Sequence, residues 1–147
     1  MKVEVHIDPQ LTQTQVVIRA PACSPQVEQL VRQLEALATP STFTAFREGQ
    51  ARFLPLSDIL RFYADGKGVS CQTTTGAYTV RERLYELEEA LAGTRFVRVS
   101  HSEVVNLNRV TALDLSLTGT IKMTLEGGTT VYVSRRYVKK IKQALDL

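Results

Sequence analysis

Between Thr42 and Val133 clusters of turn-forming residues cut the chain into short apolar runs, and this leaves it little choice but antiparallel hairpins. Glu48, Gly49 and Gln50 separate Thr42 to Phe46 from Ala51 to Leu56. Asp65, Gly66, Lys67 and Gly68 close the strand Arg61 to Ala64, and Thr74, Thr75 and Gly76 divide Val69 to Thr73 from Ala77 to Val80. Thr118 and Gly119, then Glu126 to Gly128, break the last stretch into a meander of Val110 to Leu117, Thr120 to Leu125 and Thr129 to Val133. Runs this short, rich in β-branched and aromatic residues and bounded by Gly, Asp and Thr, read as strands. Two helices interrupt them. In Glu82 to Leu91 the residues Leu84, Leu87 and Leu91 share one side while Glu82, Glu86 and Glu89 turn outward, with Gly93 as its C-terminal stop. In Arg135 to Leu145 the apolar set is Val138, Ile141, Ala144 and Leu145. Leu56 to Leu60, with Ser57 and Asp58, reads as a single helical turn.

Residues 1–40 read as a separate unit. Val3, Val5 and Ile7 alternate with Lys2, Glu4 and His6 as a half-buried strand would, and Gln15 to Arg19 reads as a second strand. From Gln26, Val27, Leu30, Val31, Leu34 and Leu37 recur at threes and fours, the spacing of an amphipathic helix. A ββα piece of this size is too small to stand alone, which suggests dimerisation or docking. Thr39 to Ser41 is the expected boundary, and residues 41–147 form the main domain. About nine or ten strands against three helices make the fold mostly β, α+β overall. His6 reads as a solvated residue.

Two segments of the main domain mix core residues with residues suited to phosphates. In Phe96 to Val110, apolar Phe96, Val97, Val99, Val104, Val105 and Leu107 bracket Arg98, Ser100, His101 and Ser102, a polar run that no core accepts unpaired. Asn106 and Asn108 read as structural, fixing a turn through local amide hydrogen bonds. In Val131 to Leu145, Ser134 stands where strand gives way to helix and is placed to cap it. Arg135 and Arg136 then fall in the first turn, where cations oppose the helix dipole and stability alone would favour acids. Arginines beside exposed backbone N–H groups make a phosphate site.

The pattern F-x-R-x-S-x-S-x-x-V-N (Phe96, Arg98, Ser100, Ser102, Val105, Asn106), a hairpin at Gly119 and Ile121, and V-S-R-R-Y-V from Val133 to Val138 closely resemble the LytTR DNA-binding domain of bacterial transcription regulators. The resemblance runs through Ile59 to Lys67 and covers roughly Thr42 to Leu147. It implies an antiparallel β fold with a C-terminal helix, here preceded by the ββα extension. It implies a double-stranded DNA partner, gripped not by a recognition helix but by loops entering successive major grooves. By matched position, His101 and Arg136 are expected to contact bases, the latter presenting its fork to guanine. Arg98, Ser100, Ser102, Arg135 and Lys139 are expected to contact phosphate or position the loops. Arg98 has an alternative partner in Glu103. Lys67 tips a loop whose glycines serve either close approach to DNA or a tight hairpin.

Charge supports an anion-binding face. From Arg95 onward there are nine Lys or Arg against four acids, net +5, while the remainder carries nine against eleven, net −2. Lys139, Lys140 and Lys142 also suit a helix C-terminus on dipole grounds alone. With 44% apolar and 22% charged residues the composition is that of a globular protein. No leader pattern and no window approaching a membrane span is present, so a cytoplasmic protein without membrane insertion is expected. Cys23 and Cys71 lack metal-type spacing and read as reduced thiols. His101 with Ser100 or Ser102 has no glycine elbow or oxyanion loop around it, so neither an enzyme nor a cofactor or metal site is expected. The expectation is a stand-alone dimeric regulator without a receiver domain, its control by a regulatory protein partner left open. The alternative is an interaction module whose basic face takes RNA or an acidic protein.

Overall fold

The computed structural model describes residues 1–12, 14–38 and 42–147. Among them ten strands and three α-helices form. A seven-stranded antiparallel sheet has the order β2-β1-β5-β4-β3-β7-β6, built from β1 (Thr42–Arg47), β2 (Gln50–Pro55), β3 (Ile59–Asp65), β4 (Gly68–Thr73), β5 (Gly76–Val80), β6 (Phe96–Ser100) and β7 (Glu103–Asn106). A second sheet, β10-β9-β8, comprises β8 (Val110–Asp114), β9 (Ile121–Leu125) and β10 (Thr130–Val133). The helices are α1 (Pro25–Ala38), α2 (Leu84–Ala90) and α3 (Arg135–Ala144).

The expected hairpins form where turn chemistry demands them. Arg47 pairs with Gln50 across a two-residue turn in which Glu48 and Gly49 both have positive φ, 52° and 77°. That is the requirement of a turn whose twist matches the strands it joins. Leu56–Asp58 makes the single helical turn ahead of β3.

The large sheet is covered on both faces, and alternation decides which residue serves which. Val105 joins Leu60, Val99 and Leu107 in a core completed by Ile121, Met123, Leu125, Val131, Val133 and Ile141, so one face is covered by the small sheet and α3. Val104, its neighbour in sequence, points the other way and packs with Phe62, Ile59, Cys71, Leu84, Leu87 and Leu91 beneath α2. Phe62 anchors this second core between Phe43 and Phe96, ring centroids 5.0 and 5.6 Å away. The two helices thereby lie on opposite faces; Glu86 and Glu89 of α2 are exposed as expected, whereas Glu82, expected to turn outward, is partly buried with its Oε2 enclosed.

Burial also separates the two thiols. Cys71 is fully buried, which pushes its pKa up to about 11, whereas Cys23 is exposed. A thiol reagent at pH 7 to 8 is therefore expected to label one cysteine quickly and the second only after denaturation. Rapid labelling of both in the folded protein would contradict this packing.

One expectation needs correction. Val3 to Ile7 and Gln15 to Arg19 form no strand among the described residues, although helix α1 is present as expected. A strand exists only when another supplies its ladder. No described residue ahead of Thr42 belongs to either core, and Val3, Val5, Ile7, Val16 and Val17 are exposed. The expected boundary at Thr39 to Ser41 lies outside the described residues.

Candidate nucleic-acid interface

Backbone hydrogen bonds draw the two segments picked out by composition to one end of the molecule. Tyr63 opposite Glu103 sets the β3–β4 turn and the β6–β7 turn side by side, and Ala64 N donates to Ser102 O at 2.9 Å. Ser134 N donates to Val99 O at 2.8 Å, bringing the start of α3 beside the end of β6. Val133 opposite Ile121 places the β8–β9 connection at the same point, where the Arg135 guanidinium lies against Gly119. A Cβ added at Gly119 would sit 3.0 Å from Arg135 Nη2, so glycine at φ 75° makes room for that arginine.

The β6–β7 turn is rigid from within. Arg98 is only 9% exposed; its Nε donates to Ser100 O at 2.7 Å and its Nη2 to His101 O at 2.6 Å. Ser100 is buried as well, its Oγ accepting from Ser102 N at 3.2 Å and lying 3.3 Å from Ser102 Oγ. A register shift between Arg98 and Ser100 lets the guanidinium fold back under the turn. His101 and Ser102 are left exposed at the tip. Arg98 does not pair with Glu103: Arg61 Nη1 holds that carboxylate at 2.7 Å, with Gln72 on its Nε.

Asn106 and Asn108 take the structural roles expected of them. Asn106 is buried, donates to Ile59 O at 3.0 Å and accepts from Asn108 N at 3.1 Å. Asn108 Oδ1 accepts from Arg95 Nε at 3.0 Å. Ser134 occupies the N-cap position of α3, but its side chain makes no capping bond, contrary to expectation; the turn closes through the backbone, Tyr137 N donating to Ser134 O at 2.8 Å. With no acid in its first turn, α3 presents N–H groups with no side-chain cap beside Arg135 and Arg136.

The structure sorts the cations into two kinds. Arg61 is neutralised by Glu103, and Arg109 by Glu126 at 2.7 Å and Asp58 at 3.7 Å. Lys67, Arg135, Arg136 and Lys139 are exposed and have no carboxylate partner among the described residues, Arg136 lying 5.3 Å from the Tyr137 ring. Of the eight residues expected to serve the site, six stand at the surface, and Arg98 and Ser100 lie beneath it. Lys142 was missed. It stands three residues after Lys139 and lines a shallow groove with Arg135, Lys139 and Gly119.

The chain is similar to known proteins in sequence and in fold. A family model described as the LytTr DNA-binding domain matches residues 49–146. An uncharacterized HTH-type transcriptional regulator of Staphylococcus aureus strain MSSA476 is 31% identical over 147 residues, covering 100% of this chain and 99% of its own. A counterpart in strain MRSA252 is 30% identical with the same coverage. A solved chain described as the LytTr DNA-binding domain of a methyl-accepting/DNA response regulator from Bacillus cereus superposes with a TM-score of 0.70 at 23% identity, over 74% of this chain and 99% of that one.

Proposed function

The chain belongs to the LytTr DNA-binding domain family, and on that premise we propose that it is a cytoplasmic, sequence-specific regulator that binds double-stranded DNA as a dimer. The observation that carries this reading is the convergence of the β6–β7 turn, the β3–β4 turn and the uncapped start of α3 at one end of the molecule. His101 and Arg136 present adaptable polar groups there for base edges, while Ser102, Arg135, Lys67 and Lys139 flank them as contacts to the phosphate backbone. Arg98 and Ser100 set the shape of the β6–β7 turn from below.

The three helices support reading by loops. No two of them follow each other in the chain, so the described residues contain no helix-turn-helix, and α2 lies on the sheet face opposite α3. Turns projecting past a covered sheet are the parts left to enter successive major grooves.

Selection from a randomised duplex pool at near-physiological salt tests the proposal. Recovery of a motif, two short elements about one helical turn apart, is the expected result. The log–log salt slope on that duplex should reach about −3 per protomer if Lys67, Arg135 and Lys139 each neutralise one phosphate. A folded protein that recovers no motif, and binds RNA or an acidic protein instead, would overturn it.

A further inference from the structure

The segment Lys2 to Asp8 is its own antiparallel complement. If two copies lie antiparallel about Val5, Lys2 faces Asp8, Val3 faces Ile7, Glu4 faces His6 and Val5 faces Val5. Apolar meets apolar, and each polar position meets a group of opposite charge or, for His6, one that takes such a charge. Neighbouring registers that keep the same faces lack this property. Shifting by two residues in one direction sets Glu4 against Glu4, and in the other sets Glu4 against Asp8 and His6 against His6. A parallel arrangement pairs every charge with its like. Directly opposed like charges destabilise strand pairs and opposite charges stabilise them, so one register stands out.

The segment also has the geometry the pairing needs. Lys2 Nζ reaches Glu4 Oε1 at 2.7 Å and His6 Nε2 lies 3.4 Å from Glu4 Oε2, contacts between residues two apart that set these side chains on one side of an extended chain. Val3, Val5 and Ile7 alternate with them and are 78%, 79% and 84% exposed, covered by nothing in a single copy. Pro9, without an N–H, marks where the ladder would stop. The family model matches residues 49–146 and so does not include the extension.

We infer that residues 2–8 of two copies pair as antiparallel strands about a two-fold axis through Val5, joining two DNA-binding domains into the dimer on which the proposed reading rests. The apolar stripe of each α1, with Leu30, Val31 and Leu34 half-buried, is the cover for the ribbon, since a two-stranded ribbon is marginal by itself.

The full-length protein, followed by sedimentation equilibrium over a range of concentrations, tests this by charge exchange. Asp8→Lys should raise the dimer dissociation constant by about tenfold or more, because it opposes Lys2 of the second copy twice per dimer. The double variant Lys2→Glu/Asp8→Lys should restore it. Register is tested in a Cys23→Ser background with oxidised glutathione. Val5→Cys should cross-link to itself, its Cα atoms about 4.5–5.5 Å apart across the axis, whereas Ile7→Cys, with about 13 Å between copies, should not. A wild-type protein that stays monomeric at all concentrations, an Asp8→Lys variant that dimerises as wild type, or a double variant that fails to recover would each overturn the pairing. A monomer that still selects a duplex motif would leave the DNA-binding reading standing. A dimer that selects none would do the reverse.

Discussion

Replacing Arg98 by alanine is expected to cost about 1–3 kcal/mol of folding stability and most of the discrimination between target and scrambled duplexes, with the salt dependence of binding unchanged. The guanidinium is nearly buried and spends its Nε on Ser100 O and its Nη2 on His101 O. Without it, a buried carbonyl loses its donor and the turn loses the brace that aims His101. A guanidinium held beneath the surface neutralises no phosphate, so the salt slope should keep its value. Lysine cannot span two carbonyls from one planar fork, so Arg98→Lys should recover less than half of the lost stability. Denaturant melts together with duplex titrations at several salt concentrations decide the matter. A slope reduced by about one in a protein of wild-type stability would mean that Arg98 touches phosphate directly.

Arg136→Ala is expected to weaken target binding by about 1–3 kcal/mol, a loss of roughly 5- to 150-fold, and to flatten preference at one base pair. Arg136 is exposed in the first turn of α3, has no carboxylate partner, and lies at the end of the molecule shared with His101. A planar fork with no carboxylate on it suits the paired acceptors of guanine. Lys139→Ala, one turn along the same helix, should instead weaken all duplexes alike and lower the salt slope by about one. The contrast is the test. If Arg136→Ala reduces binding to every duplex by the same factor, the residue belongs with the phosphate contacts. Neither variant should alter stability, since the side chains of α3 that hold it to the sheet are Ile141, Val138, Tyr137 and Leu145.

Hairpins and helices of residues 42–147 were legible in the chain because their determinants are local. Gly49 permits the positive φ its turn needs, and the spacing of Leu84, Leu87 and Leu91 defines a buried helical face whatever covers it. The exposed members of the site were legible for a related reason. Arg135 and Arg136 sit where a stable helix start would favour acids or neutral caps, so their presence called for another explanation.

What is not local could not be read. Alternation in Val3 to Ile7 states a preference for a half-buried ribbon, but a ladder needs a second strand, and one copy of the chain does not supply it. Arg98 and Arg136 are the same residue type in equally polar surroundings, and nothing nearby in sequence distinguishes a brace from a contact. Which segments pleat, which coil and which carry positive charge follows from the chain alone, because turn chemistry and periodicity act over a few residues. Long-range packing was needed for Arg61 to take Glu103 and leave Arg98 to the carbonyls of its own turn, and for the bonds Ala64 to Ser102 and Ser134 to Val99 to bring three distant segments to one end. Pairings of that kind depend on register and on which buried polar group is satisfied first, and both are settled only when the sheets close.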